Sequence, residues 1–362
     1  MDLFAKIKGI KYNPILCREL EIFDPKDLEK ALSSCASFIL KIDKEKQIAI
    51  SWWVSAKRTR SYPYARVYDT LGFSGKKITI IPVVKDEGKE GDRDFLQWDT
   101  ISLMSLLGVY VIVAYYNDAE RSTRYRHKIT SQRFDIDYIR GQIKNILSYQ
   151  SDALHWNLAH IDKVGQIGQK ALESYAEISK KLKVEMHSHQ IAEKRIAELL
   201  KGKDEFMKLS RMLAEKAQKR ERLTIQPKEH LTGTKAIITI QNYLGGYYYF
   251  TSDEAEVKGN DVFLIEGKHS KNNSLPSLED IKDGLLKMIL FTNLEDVKID
   301  SKSYNPVAVL KLTVENYFDE RNLSVSQKEI LSLLRKEAKV NNFKIIFWVM
   351  HLTLVTPTYS VL

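Results

Sequence analysis

The stretch Asp261-Val262-Phe263-Leu264-Ile265-Glu266-Gly267-Lys268-His269-Ser270 decides how this chain is read. Val262 to Ile265 is an unbroken apolar run, the pattern of a strand covered on both faces. A carboxylate and an amine follow two residues apart, and the two-residue period of a strand puts Glu266 and Lys268 on one face. Charges at the end of a core strand are costly unless they pair with each other or hold a metal. Just upstream, Gly259-Asn260 is a two-residue hairpin loop with glycine first, preceded by Ala255-Glu256-Val257-Lys258. Such a loop fixes the register: with Lys258 opposite Asp261, Asp253 falls opposite Glu266. Paired residues have Cβ atoms about 4.5–5.5 Å apart and project to the same side of the sheet. Asp253, Glu266 and Lys268 are therefore expected to converge. Two facing carboxylates repel unless a divalent cation lies between them. A site with few oxygen ligands, completed by water, suits Mg²⁺. A lysine beside it can orient or deprotonate a water, or offset negative charge growing on a phosphate.

Downstream, Ser277-Leu278-Glu279-Asp280 after Pro276 predicts a helix start, with Ile281, Leu285, Met288 and Ile289 at helical spacing and an end near Thr292-Asn293. Val307 to Leu312 predicts a further strand, and Lys271, Asn272 and Asn273 fall in the loop before the helix. An Asp on one strand and Glu-x-Lys ending the next, followed by helix and strand, resembles the PD-(D/E)XK nuclease superfamily. Size and layout look most like a type II restriction endonuclease. Ser252 stands where that family often carries proline. The resemblance implies that Asp253 and Glu266 are metal ligands and that Lys268 is the catalytic amine. It also implies Mg²⁺ as cofactor, double-stranded DNA as substrate, a homodimer working on palindromic sites, and a companion methyltransferase. The corresponding fold is mixed α/β: a restriction-endonuclease-like core with a central mixed sheet flanked by helices, a second α/β domain and a helical connecting region. Three alternatives stay open. One is an edge hairpin with a cross-strand Glu–Lys salt bridge; another is a non-catalytic DNA-binding protein with a nuclease-like core; the third is a repair or structure-specific nuclease.

The chain has 362 residues, 44% of them hydrophobic and 28% charged, which is ordinary for a globular protein of about two domains. The longest apolar run, Val109 to Tyr116, is too short to span a bilayer, so no membrane partner is expected. Met1 to Lys6 lacks the pattern of a signal peptide, and Cys17 and Cys35 lack metal spacing. Both observations lead to the expectation of a cytoplasmic protein with reduced thiols. His187 and His189 lie on a polar helical stretch, where solvation is the simpler reading. A net charge of +9, from 56 basic and 47 acidic residues, is compatible with a polyanionic partner without requiring one.

Three parts are expected. Residues 1–150 read as an α/β domain suited to DNA recognition. A helix is predicted from Asp24-Pro25 through Leu32 and Ala36, strands at Gln47–Val54, Tyr64–Tyr68, Lys77–Val84 and Val109–Tyr116, and a helix at Trp98–Leu107. Residues 151–230 read as a basic helical connection, ending at Gln226-Pro227. Residues 231–362 read as the catalytic domain, with a first strand at Ala236–Ile240, a helix over Ser326–Val340 opened by Ser326-Gln327-Lys328-Glu329, and a closing strand at Lys344–Met350. Arginines alternate with aromatic rings in two segments, giving Lys57, Arg58, Arg60 and Arg66 in one and Arg121, Arg124 and Arg126 in the other. Together with Lys271 they are the expected DNA contacts, because arginine grips phosphate or guanine with two hydrogen bonds. A weaker echo of the Glu-x-Lys pattern, with Asp69, Glu87 and Lys89, marks a secondary candidate site in the first part, for which a charged loop is the plainer account.

Overall fold

A computed structural model describes residues 1–58, 60–200, 212, 216, 234–242, 247–270, 274–314 and 319–349. The chain forms two compact units, one of residues 19–212 and one joining residues 1–18 to 213–362. The three-part expectation puts its divisions near 150 and 230, whereas these units divide at 18/19 and 212/213. The first strand, β1 (Asp2–Ile7), buries Leu3, Ala5 and Ile7 and pairs with a strand more than two hundred residues away, so it leaves the segment that follows it. Helices in the expected connecting region instead pack on strands of the 19–212 unit.

That unit runs β2 (Ile22–Phe23), a 3₁₀ turn at Pro25–Asp27, α1 (Leu28–Ser34), β3 (Ser37–Lys41), β4 (Gln47–Trp52), α2 (Pro63–Leu71) and β5 (Lys76–Pro82). It continues with β6 (Val84–Asp86), β7 (Arg93–Phe95), α3 (Trp98–Leu106), β8 (Val109–Ala114), β9 (Tyr116–Arg121) and β10 (Ile129–Phe134). Four helices close it: α4 (Ile136–Ser148), α5 (Ala153–Ile161), α6 (Val164–Leu182) and α7 (His189–Leu200). The main sheet has the order β2-β3-β4-β5-β8, with only β3 and β4 antiparallel. Tyr64 to Tyr68 is helical, not a strand. Pro63 presets the first helical residue, and Tyr64, Val67 and Tyr68 bury one face at helical spacing, which outweighs their β propensity.

An exposed edge strand invites wrong pairing, and α5 covers that of β8 with side chains. The Val111 N–H donates to Asn157 Oδ1 at 2.7 Å, Asn157 Nδ2 donates to Val109 O at 3.0 Å, and Trp156 Nε1 donates to Val111 O at 2.8 Å. Val113 N–H donates to His160 Nε2 at 3.2 Å. Burial pushes His160 down to about 4, which keeps the ring neutral and able to accept.

In the second unit the strands are β11 (Thr234–Asn242), β12 (Tyr247–Lys258), β13 (Asp261–Ser270), β14 (Glu295–Ile299), β15 (Lys302–Ser303), β16 (Asn305–Val314) and β17 (Lys344–Val349). Helix α8 (Leu278–Phe291) lies between β13 and β14, and α9 (Val325–Asn341) between β16 and β17. They build an eight-stranded mixed sheet in the order β15-β14-β1-β11-β12-β13-β16-β17. β11, β12 and β13 form an antiparallel meander, and β13, β16 and β17 are parallel. The hairpin turn sits at Gly259, whose φ of +62° is a conformation that glycine adopts without strain. Ser277 caps α8 as expected by accepting from Asp280 N–H. The cap of α9 is Ser324 rather than Ser326. Ser324 and Gln327 close a reciprocal capping box, which starts the helix one residue before the expected Ser326.

Residues 8–18 are fastened to this unit by Asn293 at Lys11, by Asn341 at Asn13 and by one buried carboxylate. Glu337 of α9 is 0% exposed and accepts from Tyr12 Oη at 2.7 Å and from the N–H groups of Ile15 and Leu16, both at 2.9 Å. Replacing Glu337 with alanine leaves both amides without that acceptor. The variant is expected to lose about 3 kcal/mol of stability in denaturant melts, with hydrogen exchange accelerated at Ile15 and Leu16. Unchanged exchange at those amides would show that the segment is held by something else.

Candidate functional site

The site grows from the end of β13. Its hairpin with β12 pairs Lys258 with Asp261 and Glu254 with Ile265, the register read from the turn. The ladder stops there. Between Ser252 and Ala255, β12 slips against β11, a bulge that frees Asp253 from regular pairing. Asp253 Oδ2 instead accepts the Gly267 N–H at 2.8 Å, so its carboxylate closes the end of the ladder beside Glu266.

Glu266 and Lys268 project from alternate positions of β13 toward α8, which packs on β13 and β16. Lys268 Nζ lies 3.1 Å from Glu266 Oε1 and 2.7 Å from Asp283 Oδ2. Lys287 Nζ, one helical turn beyond Asp283, lies 2.6 Å from Glu266 Oε2 and 3.3 Å from the Thr251 carbonyl of β12. The helix comes this close because Gly284 has no side chain. A Cβ there would stand 2.8 Å from Leu310 Cδ1 and 3.2 Å from Lys268 Cε. The Glu266 side chain is 3% exposed, against 15% for Lys268 and 16% for Lys287.

Burial of this kind opposes ionisation of Glu266, but the ammonium groups of Lys287 and Lys268 outweigh it and hold the carboxyl below its usual range. Burial likewise works against both ammonium groups. Glu266 and Asp283 around Lys268, and Glu266 and Asp253 around Lys287, raise them well above an ordinary lysine. In this arrangement both amines are cations. On the other face of the sheet, Lys311 Nζ meets Glu254 Oε1 at 2.6 Å, with both side chains 4% exposed.

The structure thus brings Asp253, Glu266 and Lys268 together and adds Asp283, Lys287, Glu254 and Lys311. A signal for Lys287 was available: it is the single charge in the apolar run Leu285–Phe291, four residues after Asp283. Nothing in the local pattern ties Glu254 to Lys311, since β16 becomes the neighbour of β13 only through the crossover.

The secondary candidate residues are placed apart. Asp69 lies on α2, not on a strand; Lys89 pairs with Glu185 at 2.7 Å; Glu87 is held by Arg60, Lys85 and Lys128 at 3.1, 3.0 and 3.2 Å. The first basic segment is largely engaged within its own unit. Arg60 also meets Asp92 and, at 2.9 Å, Asp94, while Arg58 stands 3.9 Å from Asp99. Arg66 donates to the Trp52 and Ser61 carbonyls, both at 3.0 Å, and stacks 4.5 Å from the Trp52 ring. Lys57 is exposed, as are Arg121, Arg124 and Arg126 around the tip of the β9–β10 hairpin. Lys271 lies outside the described residues.

No helix among the described residues is long and apolar enough to cross a membrane. Comparisons with protein-family models, with curated proteins and with solved structures find no match.

Glu266→Gln would leave two buried ammonium groups short of their shared anion, and is expected to cost about 3 kcal/mol. The pH dependence has a definite sign. A carboxyl depressed in the folded state contributes stability above the ordinary carboxylate value, and this is lost as pH falls through the lower folded value. Thermal melts between about pH 3 and 7 should therefore show acid destabilisation of the parent, concentrated below about pH 4.3. The variant should show a smaller slope there.

Proposed function

We propose that the unit containing residues 213–362 is a Mg²⁺-dependent endodeoxyribonuclease of the PD-(D/E)XK type, cutting double-stranded DNA at a defined sequence as type II restriction enzymes do. One observation carries this reading: Asp253, Glu266 and Lys268 gather at the end of the β12–β13 hairpin, beneath α8, which packs on β13 and β16. An antiparallel meander followed by a helical crossover is the arrangement expected of a core with a central mixed sheet flanked by helices.

The donors fit a small hard cation. Asp253 and Glu266 carry carboxylate oxygens at one strand end, with those of Glu266 held by the two ammonium groups. Two carboxylates completed by water and substrate phosphate is a ligand set that Mg²⁺ tolerates better than zinc. Bound there, Mg²⁺ would supply Lewis-acid charge at the scissile phosphate.

The residues divide the remaining work. Lys268 is held protonated, which favours charge compensation on a phosphate oxygen over abstraction of a proton from water. Asp283 fixes its direction at 2.7 Å. In the other unit, Lys57 and the exposed arginines Arg121, Arg124 and Arg126 are suited to phosphate or base-edge contacts. A palindromic target would be met by a symmetric homodimer.

The competing reading, a DNA-binding protein in which the cluster is an ion-pair network, draws on the same salt bridges around Glu266. Incubation with several plasmids in Mg²⁺ and in EDTA separates the two. Discrete fragments that appear only with the metal support the nuclease. Uncut DNA with retained binding supports the network, and cutting restricted to branched or damaged substrates points to a repair role. Lys268→Ala is expected to slow cleavage about 10²-fold or more while DNA binding stays near the parental level. Cleavage by that variant at the parental rate would remove Lys268 from the chemistry.

A further inference from the structure

Lys287 belongs to no pattern that led to the site, yet it makes the shortest contact with its central carboxylate. Its ammonium touches both strands that carry the proposed ligands: Glu266 Oε2 on β13 at 2.6 Å and the Thr251 carbonyl on β12 at 3.3 Å. The charge of Asp253 also acts on it. An amine touching both strands here occupies one oxygen of the carboxylate that a metal shared with Asp253 would need.

The charges make the consequence definite. Asp253, Glu266 and Asp283 supply three negative charges, and Lys268 and Lys287 return two. Glu266 is buried, and a buried carboxylate without a counter-ion is unstable, so a cationic partner must be present at all times. A divalent ion brought to Glu266 beside these two ammonium groups would be repelled by both, so one of them has to leave its place. Lys268 is the worse candidate to leave, since Asp283 holds it from the other side at 2.7 Å. Lys287 sits on a helix, at the end of a long flexible stem, and its anionic partner at hydrogen-bond distance is Glu266.

We propose that Lys287 is the resident counter-ion of the site, holding the Asp253–Glu266 gap until a divalent ion displaces it. This rests on the reading of Asp253 and Glu266 as metal ligands. The displaced ammonium needs a new anion, and an incoming phosphate provides one. Metal and DNA therefore load together: the ion binds weakly to the free protein and tightly once a phosphate can receive Lys287. A site built this way does not hold a hydrolytic metal without substrate.

The test is calorimetric titration of Mn²⁺, as the probe ion, into the 362-residue protein without DNA. Lys287→Met removes the competing charge and should bind Mn²⁺ at least tenfold more tightly than the parent, while Lys287→Arg, which keeps the charge, should stay as weak as the parent. Lys287→Gln, which can still hydrogen-bond Glu266, serves if the methionine variant does not fold. A second readout is melting in EDTA: the neutral variants should melt lower than the parent and regain stability with Mn²⁺, whereas the parent should gain little. Equal Mn²⁺ affinity in the parent and the neutral variants overturns the counter-ion role and leaves the metal reading standing. No uptake by any of them, with or without a DNA duplex, overturns both.

Discussion

Glu266 is a carboxylate on a core strand, 3% exposed, kept charged by two lysines that approach from different elements. That constraint organises the unit around it. Lys268 comes from the same strand two residues on, and Lys287 comes from α8 only if the helix lies close to β13. The close approach requires Gly284, since even a methyl group there would meet Leu310 and the stem of Lys268. The seat of the helix, the end of the strand and the ionisation of the carboxyl are therefore one problem with one solution. A hydrophobic trio of similar volume would pack as well or better, so stability alone gives no reason for such a cluster.

The opposite face of the sheet carries a second buried pair, Glu254 with Lys311. It joins β12 to β16 across β13, because Lys311 pairs in register with Gly267 and Glu254 with Ile265. The Ser252 hydroxyl adds to this, its single proton shared between the Glu254 and Ile265 carbonyls at 2.6 and 2.8 Å. The bulge that releases Asp253 is thus clamped on both sides, by Ser252 before it and Glu254 after it. Irregular backbone at a strand end would ordinarily fray. Here its position is fixed by bonds to β13 and β16.

The hairpin was legible as far as Glu254 opposite Ile265. A Gly-first two-residue loop dictates that register, and the period of two puts Glu266 and Lys268 on one face, while Asp253 sits at a bulge and takes the Gly267 N–H instead of a regular place opposite Glu266. Helix α8 was legible through its cap and apolar period. What could not be read depended on long-range pairing. The first strand, β1, looks like any short amphipathic segment, and only the parallel match of Asp2–Ile7 with Ile237–Asn242 moves it between units. Tyr64 to Tyr68 misled because aromatic and β-branched residues favour strands, while Pro63 and the spacing of three and four carried the stronger signal. Ser326 misled for a simpler reason: two serines stand two residues apart, and the capping box closes on the earlier one.

The basic segments show how topology redistributes charge that looks free in sequence. Arg60 stands among arginines and tyrosines, a composition suited to a nucleic-acid surface. Yet β6 and β7 bring Glu87, Asp92 and Asp94 to it from some thirty residues downstream. Three carboxylates around one guanidinium leave little positive potential for a phosphate, and the same applies in lesser degree to Arg58 beside Asp99. Arg66 is occupied by two carbonyls and an indole face. Arg121, Arg124 and Arg126 differ because they flank a hairpin tip, where no neighbouring strand supplies acidic partners in register. Of the arginines in these two segments, the exposed ones are therefore those of the hairpin tip.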